Sequence, residues 1–164
     1  MRERCHKRCT GAKATAVLVL ALLAAGVAEA ETNGTSNANA IKVDVVGLHS
    51  NDGEVHCALY SSADGFPDGF AKAAKTTTVK IANEQAVCEF APVNPGDYAI
   101  SVFQDENSNG KLDRNFVGMP KEGVGASNDA KGSFGPPKFV DARFSYKGGT
   151  QELTIHMQYL MAPL

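Results

Sequence analysis

From position 40 onward the chain alternates apolar and polar residues with a period of two. Ile41, Val43 and Val45 alternate with Lys42 and Asp44, and Val55, Cys57 and Leu59 with His56, Ala58 and Tyr60. Tyr98, Ile100 and Val102 alternate with Ala99, Ser101 and Phe103 in the same way. This period places alternate side chains on opposite faces of a strand, so each run predicts a half-buried β-strand. Segments 77–82 and 86–93 flank the polar tip Asn83-Glu84-Gln85, and 139–146 and 153–159 flank Lys147-Gly148-Gly149-Thr150. Both pairs predict hairpins. About seven short strands separated by turn residues predict an all-β fold, a single antiparallel β-sandwich spanning residues 40–164.

Two stretches break the alternation. Asp68 to Lys75 (DGFAKAAK) is Ala-rich and predicts a turn or two of helix with Asp68 as its cap. Residues 105–138 hold no credible long strand and are dense in Gly, Pro, Asn and Asp. A connection that long inside one domain is usually functional or disordered. Phe116, Val117, Met119, Val124 and Phe134 are apolar anchors expected to pack it down as an ordered loop.

The first thirty residues follow another rule. Arg2, Arg4, Lys7, Arg8 and Lys13 precede the apolar run Ala14 to Val27, which leads to the small-x-small triplet Ala28-Glu29-Ala30. That order predicts a secretory signal peptide cleaved after Ala30. The apolar run is shorter than the roughly 20 residues a spanning helix needs, so no membrane span is expected after cleavage. Residues 31–39 (ETNGTSNAN) form a polar leader, expected to be flexible. The protein is thus expected to be exported, either periplasmic or secreted. Of 164 residues, 134 follow the cleavage point, enough for one domain with a real core.

Cleavage also changes the charge. The segment removes five basic and two acidic residues from the chain's 16 and 18, leaving 11 and 16 and a net charge of −5. No basic stripe survives, which argues against nucleic-acid binding. Cys5 and Cys9 leave with the signal, and Cys57 and Cys88 remain, each among the apolar partners of its strand. In an oxidising compartment a lone pair of cysteines predicts one disulfide, and the alternative is two buried thiols.

The strongest chemical signal is Asp105 to Asp113, DENSNGKLD. Oxygen-bearing side chains stand at positions 1, 3 and 5 (Asp105, Asn107, Asn109), then Gly110, the Lys111 carbonyl at position 7 and Asp113 at position 9. A hard cation takes six to eight oxygens, and alternate residues of a tightly wound loop converge on one point. Gly110 permits the sharp turn. Position 12, where a helix–loop–helix site carries a bidentate Glu, is Phe116. If residues 116–130 fold back over the loop, Glu122 supplies the missing oxygens. Calcium is the expected ligand. Another oxygen-liganded cation, or a metal-free polar turn built on the same Asn and Gly residues, remains open. Nearby, Pro95-Gly96-Asp97-Tyr98 delivers a tyrosine to a strand start, as at a tyrosine corner, so Gly96 and Tyr98 are expected to be structural.

From Gly53 to Tyr159 the chain resembles the DUF2141 family of small exported bacterial proteins with no assigned function. Three stretches carry the resemblance: Val93 to Ile100 followed by Phe103 to Asn107; Asn109 to Asp113 with Phe116, Gly118 and Pro120 to Gly123; and Gly125 to Asn128 with Phe134 to Pro137, Phe139, Asp141 and Ala142. The chain departs at Gln104, where such proteins often show His. The resemblance implies a prealbumin-like or carboxypeptidase-regulatory-like sandwich and supplies no reaction.

No catalytic motif assembles: HExxH, the P-loop, the dinucleotide fingerprint and the G-x-S-x-G elbow are absent. His56 and His156 lie at the outward phase of their strands and are expected to be solvated surface. Three functions follow. The first is a non-enzymatic sandwich whose calcium loop orders a recognition surface for a protein or cell-envelope ligand. The second is a metal-free structural or protein-binding module. The third is a hydrolytic enzyme at loop 105–138, which requires Asp105, Glu122, Ser127 and a histidine to converge in a pocket.

Overall fold

A computed structural model describes residues 39–133 and 135–161. The expected signal peptide, the expected leader up to residue 38 and the expected anchor Phe134 lie outside the described residues. Among the described residues eight strands form two sheets: β1 Asn39–Val46, β2 Glu54–Tyr60, β3 Lys75–Lys80, β4 Ala86–Phe90, β5 Gly96–Asp105, β6 Val124–Ala126, β7 Phe144–Tyr146 and β8 Gly149–His156. One sheet has the order β4-β1-β8, and the other β3-β2-β5-β6 with β7 paired to the start of β5. All described pairs are antiparallel except β1 with β8, which is parallel. The architecture is the all-β sandwich.

Alternation decides which side chains meet. Ile41, Val43 and Val45 of β1, Cys88 and Phe90 of β4 and Ile155 of β8 face Val55, Cys57, Leu59, Ile100 and Val102 of the second sheet. These side chains are essentially inaccessible to solvent, and each large one contributes roughly 1.5–3 kcal/mol by leaving water. Cys57 and Cys88 are joined across this core, sulfur to sulfur at 1.95 Å.

Both expected hairpins take a different form. The tip at Asn83 and Glu84 is a tight two-residue turn in which both residues have positive φ, closed by the Ala82–Gln85 bridge. Its arms then part, β3 pairing with β2 and β4 with β1. Each arm has one buried row, and burial against opposite sheets closes the sandwich. At the second site, Phe139–Ala142 is a short helix, α1, while β7 and β8 join different sheets through Lys147 and Gly148. Between residues 68 and 75 only a 3-10 turn forms, Phe70–Lys72. Asp68 does not cap it; its carboxylate pairs instead with Arg114 Nη2 at 2.6 Å.

At the start of β5 the Tyr98 hydroxyl donates to the Asn94 carbonyl at 2.9 Å. Gly96 lies against the Tyr98 ring, so that an added Cβ would come within 3.3 Å of it. At this end the outer face of the second sheet is covered by a small cluster. Ala99, Ala126 and Ala142 pack there with Phe66 and Phe139, and Pro67 O accepts bonds from Tyr60 and Ser101. Toward the other end of β5 the cover opens into a cleft.

Candidate functional site

The outer residues of three strands form two rows. Sheet register sets Lys80 beside Glu54 and Glu54 beside Asp105, and in the next row Thr78 beside His56 and His56 beside Phe103. The second row floors a cleft of about 980 Å³, walled by Phe70 from the 61–74 connection and by Leu112 and Pro120 from the loop after β5. The His56 ring stacks on Phe103 with centroids 4.7 Å apart, and Phe70 meets Phe103 edge-on.

Asp105, the last residue of β5, is fully buried. Oδ1 accepts the Asn109 amide at 3.0 Å and Oδ2 the Gly110 amide at 2.6 Å, so the carboxylate winds the loop around itself. Gly110 has a φ of +76° and no atom within 4 Å of where a Cβ would stand, so only its backbone freedom is required. Gly53 is needed for space as well: at φ +73°, an added Cβ would strike the Asp105 carbonyl. Asn107 and Asn109 converge on Asp113, donating from Nδ2 at 2.8 and 3.2 Å. The side-chain oxygen of Asn109 accepts the Lys111 amide at 2.8 Å.

Glu122 folds back over this loop and is buried. Its two oxygens accept the amides of Glu106 at 3.1 Å and Asp113 at 2.9 Å, bracing both ends of the turn. Burial raises its pKa above the ordinary 4.5; the two amide bonds oppose the rise, and the charges of Asp113 and Asp105 add to it. Phe116, at position 12, is 99% exposed at the tip of the 113–121 excursion. Val117 and Met119 are exposed too, so they are not the anchors expected of them. Polar bonds hold this segment instead: Asn115 Oδ1 accepts the amides of Val117 and Met119, and Arg114 bridges Gly118 O and Asp68. Val124, in β6, is the half-buried exception.

The remaining sequence candidates separate. Ser127 is buried away from the cleft, accepting the Ile100 amide and donating to Ala142 O at 2.6 Å. It does not join Asp105 and Glu122, so the convergence an enzyme at this loop required does not occur. Gln104 points inward, donating to Asp52 O and accepting the Tyr159 hydroxyl, which fixes the 47–53 connection. His156 pairs with Asp129 at 2.9 Å. Desolvation works against the Asp129 charge, but the bonds from the His156 amide and ring outweigh it and hold its pKa low.

His56 is not the solvated residue its phase suggested. Its side chain is only 17% exposed, with Nε2 3.3 Å from Glu54 Oε1 and 3.5 Å from Asp105 Oδ2. Among the described residues, Glu54, His56 and Asp105 are the one group of three His, Cys, Asp or Glu with ligand atoms all within 4.8 Å. Asp105, Asp113 and Glu122 surround one loop without meeting that closely. Period alone hides the first group; only the cross-strand register reveals it.

A family model described as an uncharacterized protein conserved in bacteria, DUF2141, matches residues 43–154. No curated protein and no solved structure matches the chain.

Proposed function

Because the chain belongs to the DUF2141 family, which brings no reaction with it, we infer its role from the site: an exported, non-enzymatic sandwich that binds calcium in the 105–113 loop. The bound ion orders one wall of the cleft as a recognition surface for a protein or cell-envelope ligand. Asp105, Asn107, Asn109, the Lys111 carbonyl and Asp113 are the loop ligands, and Glu122 stands in for the missing position 12.

The observation that carries this reading is the double use of buried carboxylates. Asp105 accepts the amides of positions 5 and 6, and Glu122 accepts those of positions 2 and 9. The loop is therefore already wound around its acidic groups, with Asp113 held by two carboxamides. Turning those carboxamides presents oxygen to the centre, and a divalent cation relieves the repulsion among Asp105, Asp113 and Glu122. Leu112 and Arg114, on either side of Asp113, line the cleft, so fixing the loop fixes that wall. No helix among the described residues is long and apolar enough to cross a membrane, and the basic-then-apolar leader supports export.

Calorimetric calcium titration of the signal-less chain tests the reading. Wild type is expected to bind one ion, with affinity lost in Asp105→Ala and weakened in Glu122→Gln. At a hundredfold excess over Kd, calcium adds about 2.7 kcal/mol of stability through mass action. Absence of calcium binding at millimolar concentration, or equal affinity in Glu122→Gln, contradicts it.

A further inference from the structure

We propose that Glu54, His56 and Asp105 bind a first-row transition-metal cation of the zinc class, at a second site that adjoins the calcium loop and shares Asp105 with it. His56 Nε2 is buried and makes no hydrogen bond, although two carboxylate oxygens face it at 3.3 and 3.5 Å. A ring nitrogen so placed carries either a lone pair turned toward two anions or a proton directed at neither. A metal ion resolves both. Bonds of roughly 2.0–2.2 Å at tetrahedral angles set neighbouring donors roughly 3.3–3.6 Å apart, the separation His56 keeps from Glu54 and Asp105.

Each ligand is also held from behind, as metal ligands are. Thr78 Oγ1 lies 3.1 Å from His56 Nδ1; accepting the Nδ1 proton leaves Nε2 as the basic nitrogen. Lys80 Nζ donates to the second Glu54 oxygen at 3.1 Å. The Asn109 and Gly110 amides fix the Asp105 carboxylate. The stacked Phe103 ring sets the imidazole plane.

One imidazole with two carboxylates selects against calcium, which takes oxygen alone, and for zinc and its neighbours. Three protein ligands leave a fourth position to water or a small ligand. Because the His56 ring also lines the cleft, the metal would lie at the cleft's floor. Its two carboxylate ligands neutralise the ion, so what it would offer a bound molecule is the open coordination position.

The test is zinc chloride titration of metal-stripped, untagged protein without calcium, repeated in saturating calcium to read competition for Asp105, with cobalt(II) absorption as a second readout. Wild type is expected to take one zinc per chain and to give a tetrahedral cobalt spectrum. His56→Gln should lose that binding and spectrum, and Thr78→Val should weaken zinc roughly tenfold or more. Both variants should keep a cooperative thermal unfolding transition, which reports an intact fold, and with it any stabilisation by calcium. If His56→Gln does not fold, Glu54→Gln gives the same reading. No stoichiometric zinc binding by wild type, or undiminished binding in the folded ligand variant, overturns the proposal. Zinc binding without any calcium effect would sink the calcium reading alone.

Discussion

Along β5, Ile100 and Val102 turn inward to meet β1 and β4, while Ser101, Phe103 and Asp105 turn outward beneath the loops. Apart from Gln104 near its end, the inner face is apolar and crossed by the Cys57–Cys88 bond, and its aliphatic side chains are interchangeable in kind if volume is kept. The outer face is a set of specific polar bonds: Ser101 to Pro67, Asp105 to the turn amides, Glu122 to the loop's two ends. One strand thus separates an apolar core from a polar, loop-covered face by alternation alone. Damage to the inner face should lower stability without touching ion binding, and damage to the carboxylates that wind the 105–113 loop should lower ion binding.

The largest effect tests the inner face. Cys57→Ala with Cys88→Ala opens a link between residues 31 apart, and chain entropy predicts a loss of roughly 3–4 kcal/mol. Denaturant unfolding measures it, and calcium affinity of the folded fraction should be unchanged. Next, Ser127→Ala removes the acceptor for the Ile100 amide and the donor to Ala142 O. Leaving those buried groups unpaired should cost about 1–3 kcal/mol, again with calcium affinity retained. A change in affinity in either variant would mean the two faces are coupled.

Glu122 gives the outer face a pH signature. Its pKa in the fold is raised above 4.5, chiefly by burial. Its contribution to stability is therefore complete below that ordinary value and falls away as pH rises through the raised one. Calcium favours the ionised form, so stabilisation by calcium should grow across the same interval. Thermal unfolding of wild type against Glu122→Gln, with and without calcium, should show both slopes in wild type and neither in the variant. The smallest effect is Tyr98→Phe, which deletes the bond to Asn94 O. It should lower stability by about 1 kcal/mol or less and leave the site as it is.

The sandwich was legible in the sequence because alternation and burial are local. Ile41, Val43 and Val45, or Val55, Cys57 and Leu59, need no partner to announce one buried row. Pairing was less legible. The turn at Asn83-Glu84 is a true tight turn, yet nothing in its residues says that its arms enter different sheets. Nor does β8 announce its parallel seat beside β1. The 105–113 loop stood out because its alternating oxygen-bearing residues are a spacing, and the fold-back of Glu122 onto it was legible from the gap at Phe116. His56 was misjudged because outward phase was equated with solvent. The loops that cover the outer face, and the register that seats His56 diagonally from Asp105, are long-range facts.

Amide hydrogen exchange across residues 105–123, with and without calcium, tests the central claim that the ion orders this loop. Calcium should slow exchange at Asn109, Gly110 and Asp113 in wild type and leave it unaltered in Asp105→Ala. The same exchange rates in wild type with and without millimolar calcium would contradict the account.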